Sequence, residues 1–457
     1  MTPFQSINPY TELNFASFSF LDQTALNNLL PKIKLAQNEW QNKAVSERIS
    51  FLQPLSELLI ENAPMLAELA SQEMGKIYIH AKAEVIKSAA LCNYYAKNAE
   101  RLLNPTFESL ESGSQIELRY QALGIVLGVF PWNFPYWQIL RSAIPTIVSG
   151  NAMLIKPAPN VPQSSLALQK ILDQSGLSPN LFNTVFIDET QVAKLIENDA
   201  IAAVTLTGSE KAGKIVASLA AANIKPAVLE LGGSDPLIIL EDASLNEILE
   251  QVVFSRFQNN GQSCVAAKRF LVQENILPAF KDLLLQKIRE FKLGNPMLED
   301  VNIGPLARKD LKELLENQVN ETVEAGATIL YQAGEIPKTG YFYPPTVLTN
   351  IPKNSRAYQE ELFGPVLSLY SFKTIEEAIQ LANDTHFGLG ASIFTANTEL
   401  AAQMANRIET GMVYINQIVK SDVSIPFGGT KHSGFGRELG PDGLYAFCHR
   451  KAIWKAS

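Results

Sequence analysis

Cysteine, histidine and tryptophan are scarce in this chain: its 457 residues contain three, four and four of them. Cys92, Cys264 and Cys448 are too few and too scattered for a disulfide framework or a zinc ribbon. His80, His386, His432 and His449 show no HExxH spacing, so no metal is expected. There is no block of like charge and no low-complexity run, and a composition 46% hydrophobic and 18% charged gives no sign of disorder. A basic excess is missing too. The formal net charge is −8, and an acidic surface repels phosphate backbones, which argues against non-specific nucleic-acid binding. The opening MTPFQSINPYTE has neither the basic nor the apolar segment of a signal peptide, so a cytoplasmic location is expected. The uncharged stretch Tyr120 to Leu140 approaches the length of a membrane span, but Pro131, Asn133 and Pro135 interrupt it. It reads as buried protein interior.

What is present is a long alternation of helix and strand patterns. The length suggests two or three domains. From Asp22 to about Asn104 the apolar residues recur at helical spacing, as in LSELLIENAPMLAELA. QIEL, GIVLGVF, AMLIKP, NTVFID and AAVTLTG then read as strands, with SLALQKILDQSG and SEKAGKIVASLAA as intervening helices. That order implies a parallel sheet covered by helices. A second series follows Glu230: strands PLIIL, KRFLVQ, GASIFT and GMVYIN alternate with helices SLNEILEQVVFSRF, ILPAFKDLLLQKIREF, TIEEAIQLAN and ELAAQMANRI. The expected fold is α/β with two doubly wound domains. The end of the chain, PFGGTKHSGFGRELG to AIWKAS, reads as a Gly-rich loop and a docking tail, packed on its own domain or on another subunit.

Between Leu206 and Ile215 the chain reads LTGSEKAGKI, close to a phosphate-binding P-loop. The position after Lys214 needs a hydroxyl to hold magnesium, and Ile215 cannot supply it. A loop at a helix N-terminus still favours an anion through its unpaired N–H groups and the helix dipole. Gly208 lets the backbone approach closely and Ser209 can add a hydroxyl, although a plain β–α turn with a serine cap explains the same residues.

Three residue types elsewhere suit acyl chemistry. Cys264, in QNNGQSCVAAKRF, sits in a polar loop where a thiol can be reached, as a nucleophile must be. Glu230 ends the apolar run VLE; half desolvated there, a carboxylate shifts toward general-base values. Asn133, in VFPWNFPYW, is a rigid amide donor of the kind that stabilises an oxyanion. Each has a plainer alternative: a small core thiol, a solvated strand-end charge and a turn asparagine. Their joint occurrence is what carries weight.

FPWNFP, LIKPAP, LTGSEKAG, LELGG, NNGQSC, EELFGPV and PFGGTKHSGFGRE occur in the order and spacing of the aldehyde dehydrogenase superfamily, which the chain resembles over nearly its whole length. The short N-terminus, QNNGQSCVAAKRF and VKSDVSIPFGG are similar to the succinate-semialdehyde dehydrogenase branch. The resemblance implies a Rossmann-like dinucleotide-binding domain (1–110 and 124–230), a catalytic domain (231–424) and a small β bridging element (111–123 and 425–457) that pairs subunits into dimers or tetramers. It implies Cys264 as nucleophile, Glu230 as general base and Asn133 as oxyanion donor. For a nicotinamide dinucleotide it implies Gly208 and Ser209 at the pyrophosphate, Lys156 at the adenosine ribose, Glu361 and Phe363 at the nicotinamide ribose, and Trp132 nearby. Pro159 stands where NAD-selective relatives have a glutamate, so either NAD or NADP is expected, with a lean to NADP.

For the substrate, the resemblance implies oxidation of succinic semialdehyde, with Arg141 pairing its far carboxylate and Ser421 and Phe427 beside it; Ser424 lies close enough to compete with Ser421. A broader aldehyde specificity, with Arg141 in a structural ion pair, is the alternative. Gln258 stands where some relatives have a second substrate-binding arginine, and Ala266 where relatives with a redox-switch disulfide have cysteine. A CoA-acylating enzyme, an inactive structural relative and an NTPase are the rival readings.

Overall fold

The computed structural model describes residues 4–111 and 113–455, so the outermost ends of the expected N-terminal domain and C-terminal element, and residue 112, lie outside the described residues. A six-stranded sheet runs in the order 434–435, 227–230, 201–207, 125–129, 152–156 and 182–184. All of its pairs are parallel except the first, where Gly434 and Phe435 run against Glu230 and Leu229. A seven-stranded sheet has the order 328–332, 346–349, 366–372, 267–273, 235–239, 390–394 and 412–415, parallel but for its first strand. Parallel sheets are buried on both faces, and the apolar strands follow: four of the five residues of Ile125–Val129 and all of Asp235–Ile239 are buried. Helices foreseen from their spacing lie at 162–174, 210–222, 245–257, 277–289, 375–383 and 398–405.

The N-terminal helices pack with the six-stranded sheet in one large apolar core, while separate cores cover the faces of the seven-stranded sheet. The longest helix, Tyr78–Leu103, packs against Leu52–Glu61, Ala63–Met74 and Trp137–Val148. Gly75 ends Ala63–Met74 in the left-handed region at φ 73°, and a Cβ there would lie 2.5 Å from the Pro305 carbonyl. Only glycine fits that close approach.

Two local features depart from the sequence expectation, and the C-terminal tail takes one of the two placements expected for it. The NTVFID strand contributes only Phe182–Thr184, at the sheet edge; the chain then turns to Asp188, which accepts from Gln191 N at 2.8 Å and caps the helix Glu189–Glu197. Phe4–Ile7 and Asn14–Phe18 form an antiparallel pair ahead of the first helix, where no strand was foreseen. The C-terminal strand Cys448–Lys455 pairs antiparallel with Gln115–Ala122 of its own chain, and Thr106–Ser109 completes that three-stranded sheet.

Candidate active site

Cys264 sits on a stiff loop between the two large sheets. Asn259, Asn260 and Gly261 are consecutive left-handed residues, at φ 52°, 58° and 74°. Such a run is costly for asparagine unless its surroundings hold it. They do: Asn260 Nδ2 donates to the carbonyls of Gly75 and Pro305 at 2.8 and 3.1 Å, and Gln262 Oε1 accepts from Ala307 N at 2.9 Å. On the other side, buried Lys268 donates to the Ser263 carbonyl at 2.7 Å and the Cys264 carbonyl at 2.5 Å, and pairs with Glu361 at 2.9 Å. One lysine therefore ties the thiol loop to the carboxylate opposite. The sequence reading passed over Lys268, because the lysine of VAAKRF looks like an ordinary strand charge.

Two cavities meet at the cysteine. One, of about 240 Å³, is walled by Lys87, Trp137, Arg141, Ser421 and Phe427. The other, of about 260 Å³, is walled by Trp132, Gly208, Ser209, Glu230, Glu361 and Phe363, and Asn133 also lines it. Cys264 borders both. The residue is partly exposed, yet burial of its surroundings pushes the thiol up to about 12, opposed by the nearby cations of Lys268 and Arg141.

Glu230 is fully rather than half desolvated, with a side chain 2% exposed. Burial, countered by Arg141 and reinforced by Glu438, holds its carboxyl well above the ordinary range. Neither of its oxygens has a hydrogen-bond partner among the described residues, and Arg141 Nη2 stands 4.0 Å away. A buried carboxyl without hydrogen-bond partners is expensive, and groups perturbed in this way cluster at functional sites.

Asn133 is anchored on both sides. Its Nδ2 donates to the Gln262 carbonyl at 3.1 Å, and its own carbonyl accepts from Lys76 Nζ at 3.0 Å and Asn259 Nδ2 at 2.9 Å. Lys76 is paired with Glu84 at 2.5 Å, and Glu84 Oε1 accepts from Tyr136 N and Trp137 N at 2.9 Å each. The buried pair thus caps the helix that leaves the Asn133 loop and fixes the amide's direction.

Lys156 ends the strand beside Val129, half-buried, and is not among the residues lining the second cavity; burial lowers its pKa. Ser209 caps the helix Glu210–Ala222, its Oγ accepting from Ala212 N at 3.3 Å. The space at Gly208 is open, since a Cβ there would meet only Leu206 at 3.5 Å. At Gly232 a Cβ would lie 2.4 Å from Glu361 Oε2, so that carboxylate reaches the cavity wall because residue 232 has no side chain. An open helix N-terminus, a carboxylate at a glycine wall and the Trp132–Phe363 edge-on pair at 5.8 Å fit a dinucleotide's phosphate, ribose and ring.

Arg141 is more tightly held than the sequence suggested. Its Nε lies 2.5 Å from Glu438 Oε2, its guanidinium packs 4.7 Å from the Phe427 ring, and its side chain is 3% exposed. Glu438 was not singled out beforehand; its place in GRELG gives no hint of a partner on a distant helix. Ser421 lines the first cavity, whereas Ser424 is exposed and donates to Asp422 Oδ1 at 2.6 Å. Gln258 also lines that cavity, and Ala266 is buried. Away from both cavities, Glu210, His386 and His432 come together, with Glu210 also held by Lys214 at 2.5 Å. They come from three separated segments, which is why spacing along the sequence did not group them.

Residues 1–453 match the aldehyde dehydrogenase family model. A Synechocystis sp. protein named "Probable succinate-semialdehyde dehydrogenase (NADP+)" is 43% identical over 454 residues, 99% of each chain. The Escherichia coli K12 succinate semialdehyde dehydrogenase (NAD(P)+) is 39% identical over 98% of this chain and 97% of its own. Among solved structures, the succinic semialdehyde dehydrogenase from Streptococcus pyogenes in complex with NADP+ superposes with a TM-score of 0.97 at 35% identity, covering 99% of this chain and 100% of that one. Two cavities joined at a thiol and a match along almost the whole chain agree: this protein belongs to the aldehyde dehydrogenase family.

Proposed function

We propose that the protein oxidises succinic semialdehyde to succinate, using NADP in preference to NAD. The observation that carries this reading is the placement of Cys264 where two cavities meet, with Glu230 and Asn133 in their walls. The Cys264 sulfur, as thiolate, attacks the aldehyde carbonyl carbon, and the oxyanion accepts hydrogen bonds from Asn133 Nδ2 and the Cys264 backbone N–H. Trp132, Lys156, Gly208, Ser209, Glu361 and Phe363 hold the dinucleotide, which when bound accepts the hydride. Loss of that hydride from the thiohemiacetal carbon leaves the substrate's acyl group as a thioester on Cys264. Glu230 takes a proton from water, the hydroxide adds to the thioester carbonyl, the C–S bond breaks and the carboxylate leaves. The relatives' names and their NADP support the substrate and the cofactor.

The test compares kcat/KM for succinic semialdehyde and butanal, a neutral aldehyde of equal carbon number, with NADP and NAD in parallel. A preference of about tenfold or more for the semialdehyde is expected, the scale of one charge-assisted contact. Equal values would leave a broad aldehyde dehydrogenase. Added CoA is expected to leave the rate unchanged and to yield no acyl-CoA.

Cofactor choice rests on Pro159, which is exposed and offers no carboxylate. Pro159→Glu is expected to lower kcat/KM for NADP by about tenfold or more by setting a negative charge against its 2′-phosphate, while NAD improves or is unaffected. Unchanged selectivity would place discrimination elsewhere. We also propose that the chain works as a homodimer or homotetramer through the three-stranded sheet, whose strand Cys448–Lys455 is largely exposed along its free edge. Light scattering that returns the mass of one chain would overturn this.

A further inference from the structure

Lys87, which no motif pointed to, stands on the helix Tyr78–Leu103 and lines the cavity that Cys264 borders. Its Nζ donates to Ser421 Oγ at 2.6 Å and lies 4.4 Å from the centre of the Trp137 ring. The carboxylates that act on it, Glu84 on its own helix and Asp422 beside Ser421, do so only at a distance. Glu84 is already engaged by Lys76 and by two backbone amides. Asp422 accepts from Ser424 N and Oγ at 2.9 and 2.6 Å.

The charges of this cavity can be paired off. Lys76 is matched by Glu84 and Arg141 by Glu438. Lys420 is exposed to water at the rim, and Asp422 acts on both Lys87 and Lys420 without forming an ion pair with either among the described residues. Lys87 is left with a hydroxyl and an aromatic face, neither of which neutralises it. A cation drawn out of water without a counter-ion is costly. The cavity therefore holds one unbalanced positive charge, which suits a substrate carrying one negative charge at the end away from the reacting carbon. At about 240 Å³ it is smaller than the roughly 300–1,000 Å³ of sites for drug-sized ligands, as a short-chain acid requires.

We propose that Lys87, together with Ser421, binds the far carboxylate of the semialdehyde, beside Arg141, which lines the same cavity and is itself paired with Glu438. This inference rests on the semialdehyde reading above. Lys87 Nζ supplies N–H donors and Ser421 Oγ an O–H donor, one for each carboxylate oxygen. Burial, with the Arg141 and Lys420 cations and against Asp422 and Glu84, brings the Lys87 ammonium down to about 8. It is charged below that pH and neutral above it, so selection for the anion is present at neutral pH and fades as pH rises through about 8.

Two measurements test this. In Lys87→Met, kcat/KM for succinic semialdehyde is expected to fall about ten- to hundredfold, mostly through KM, with butanal little affected. A variant that keeps the wild-type preference would overturn the role of Lys87 while leaving the substrate reading intact. A wild-type enzyme with no preference for the semialdehyde would overturn both. The second measurement needs no variant: the ratio of kcat/KM for the two aldehydes in the wild type, followed across pH. Cys264 and Glu230 act on both substrates and cancel in the ratio, and kcat/KM reports the free enzyme. The ratio is expected to decline around pH 8, and a flat ratio would overturn the proposal.

Discussion

Cys264→Ser is expected to abolish aldehyde oxidation, with kcat falling by about 10⁴-fold or more, as when other enzymes lose their covalent nucleophile. No other thiol can stand in. Cys92 is buried within the helix Tyr78–Leu103, and Cys448 lies on the C-terminal strand. The wild-type thiol is pushed up to about 12 by burial, so the thiolate is a minor species at neutral pH. Activity toward a neutral aldehyde is accordingly expected to rise with pH from neutral into the alkaline range. Reduced-cofactor absorbance follows both results, and a serine variant retaining a tenth of wild-type turnover would remove Cys264 from the nucleophile's role.

Glu230→Gln has the second largest expected effect, and a different signature. Without the carboxylate, thioester formation proceeds while hydrolysis stalls. A rapid burst of reduced cofactor, stoichiometric with enzyme, is expected, followed by a steady rate lowered by about 10²- to 10⁴-fold, the usual contribution of a general base. Glutamine keeps the volume of a side chain that is 2% exposed, so the fold is conserved. Full turnover with no burst would show that another group activates water. Because the wild-type carboxyl is held above its ordinary range, its basic form grows in as pH rises, and steady turnover should rise with it.

The main candidate residues were legible because each sits in a short local pattern. Cys264 in NNGQSC, Glu230 in LELGG and Asn133 in FPWNFP combine a chemically capable side chain with glycine or proline that fixes the backbone. The alternating strands and helices were legible for the same reason, since period and apolarity are local. What was missed depends on contacts between remote segments. Lys87 reads as one of several lysines on a helix, and only the packing of that helix against Trp137 and the Ser421 segment turns it into a cavity wall. Glu438 and Lys268 take their meaning from Arg141 and Glu361. Thr106–Ser109 is exposed at every position, so no apolar alternation marks it as a strand.

The short antiparallel addition of Gly434–Phe435 to Leu229–Glu230 has a consequence for synthesis. Glu230 is held there by a late segment of the chain: Gly434 pairs with it, Leu231 N donates to the Ser433 carbonyl at 3.0 Å, and Glu438 reaches back to Arg141. Translation delivers Cys264 well before these residues leave the ribosome. A chain cut short before Gly434 would keep Cys264 but lack the strand that lies against Glu230 and the carboxylate that pairs with Arg141.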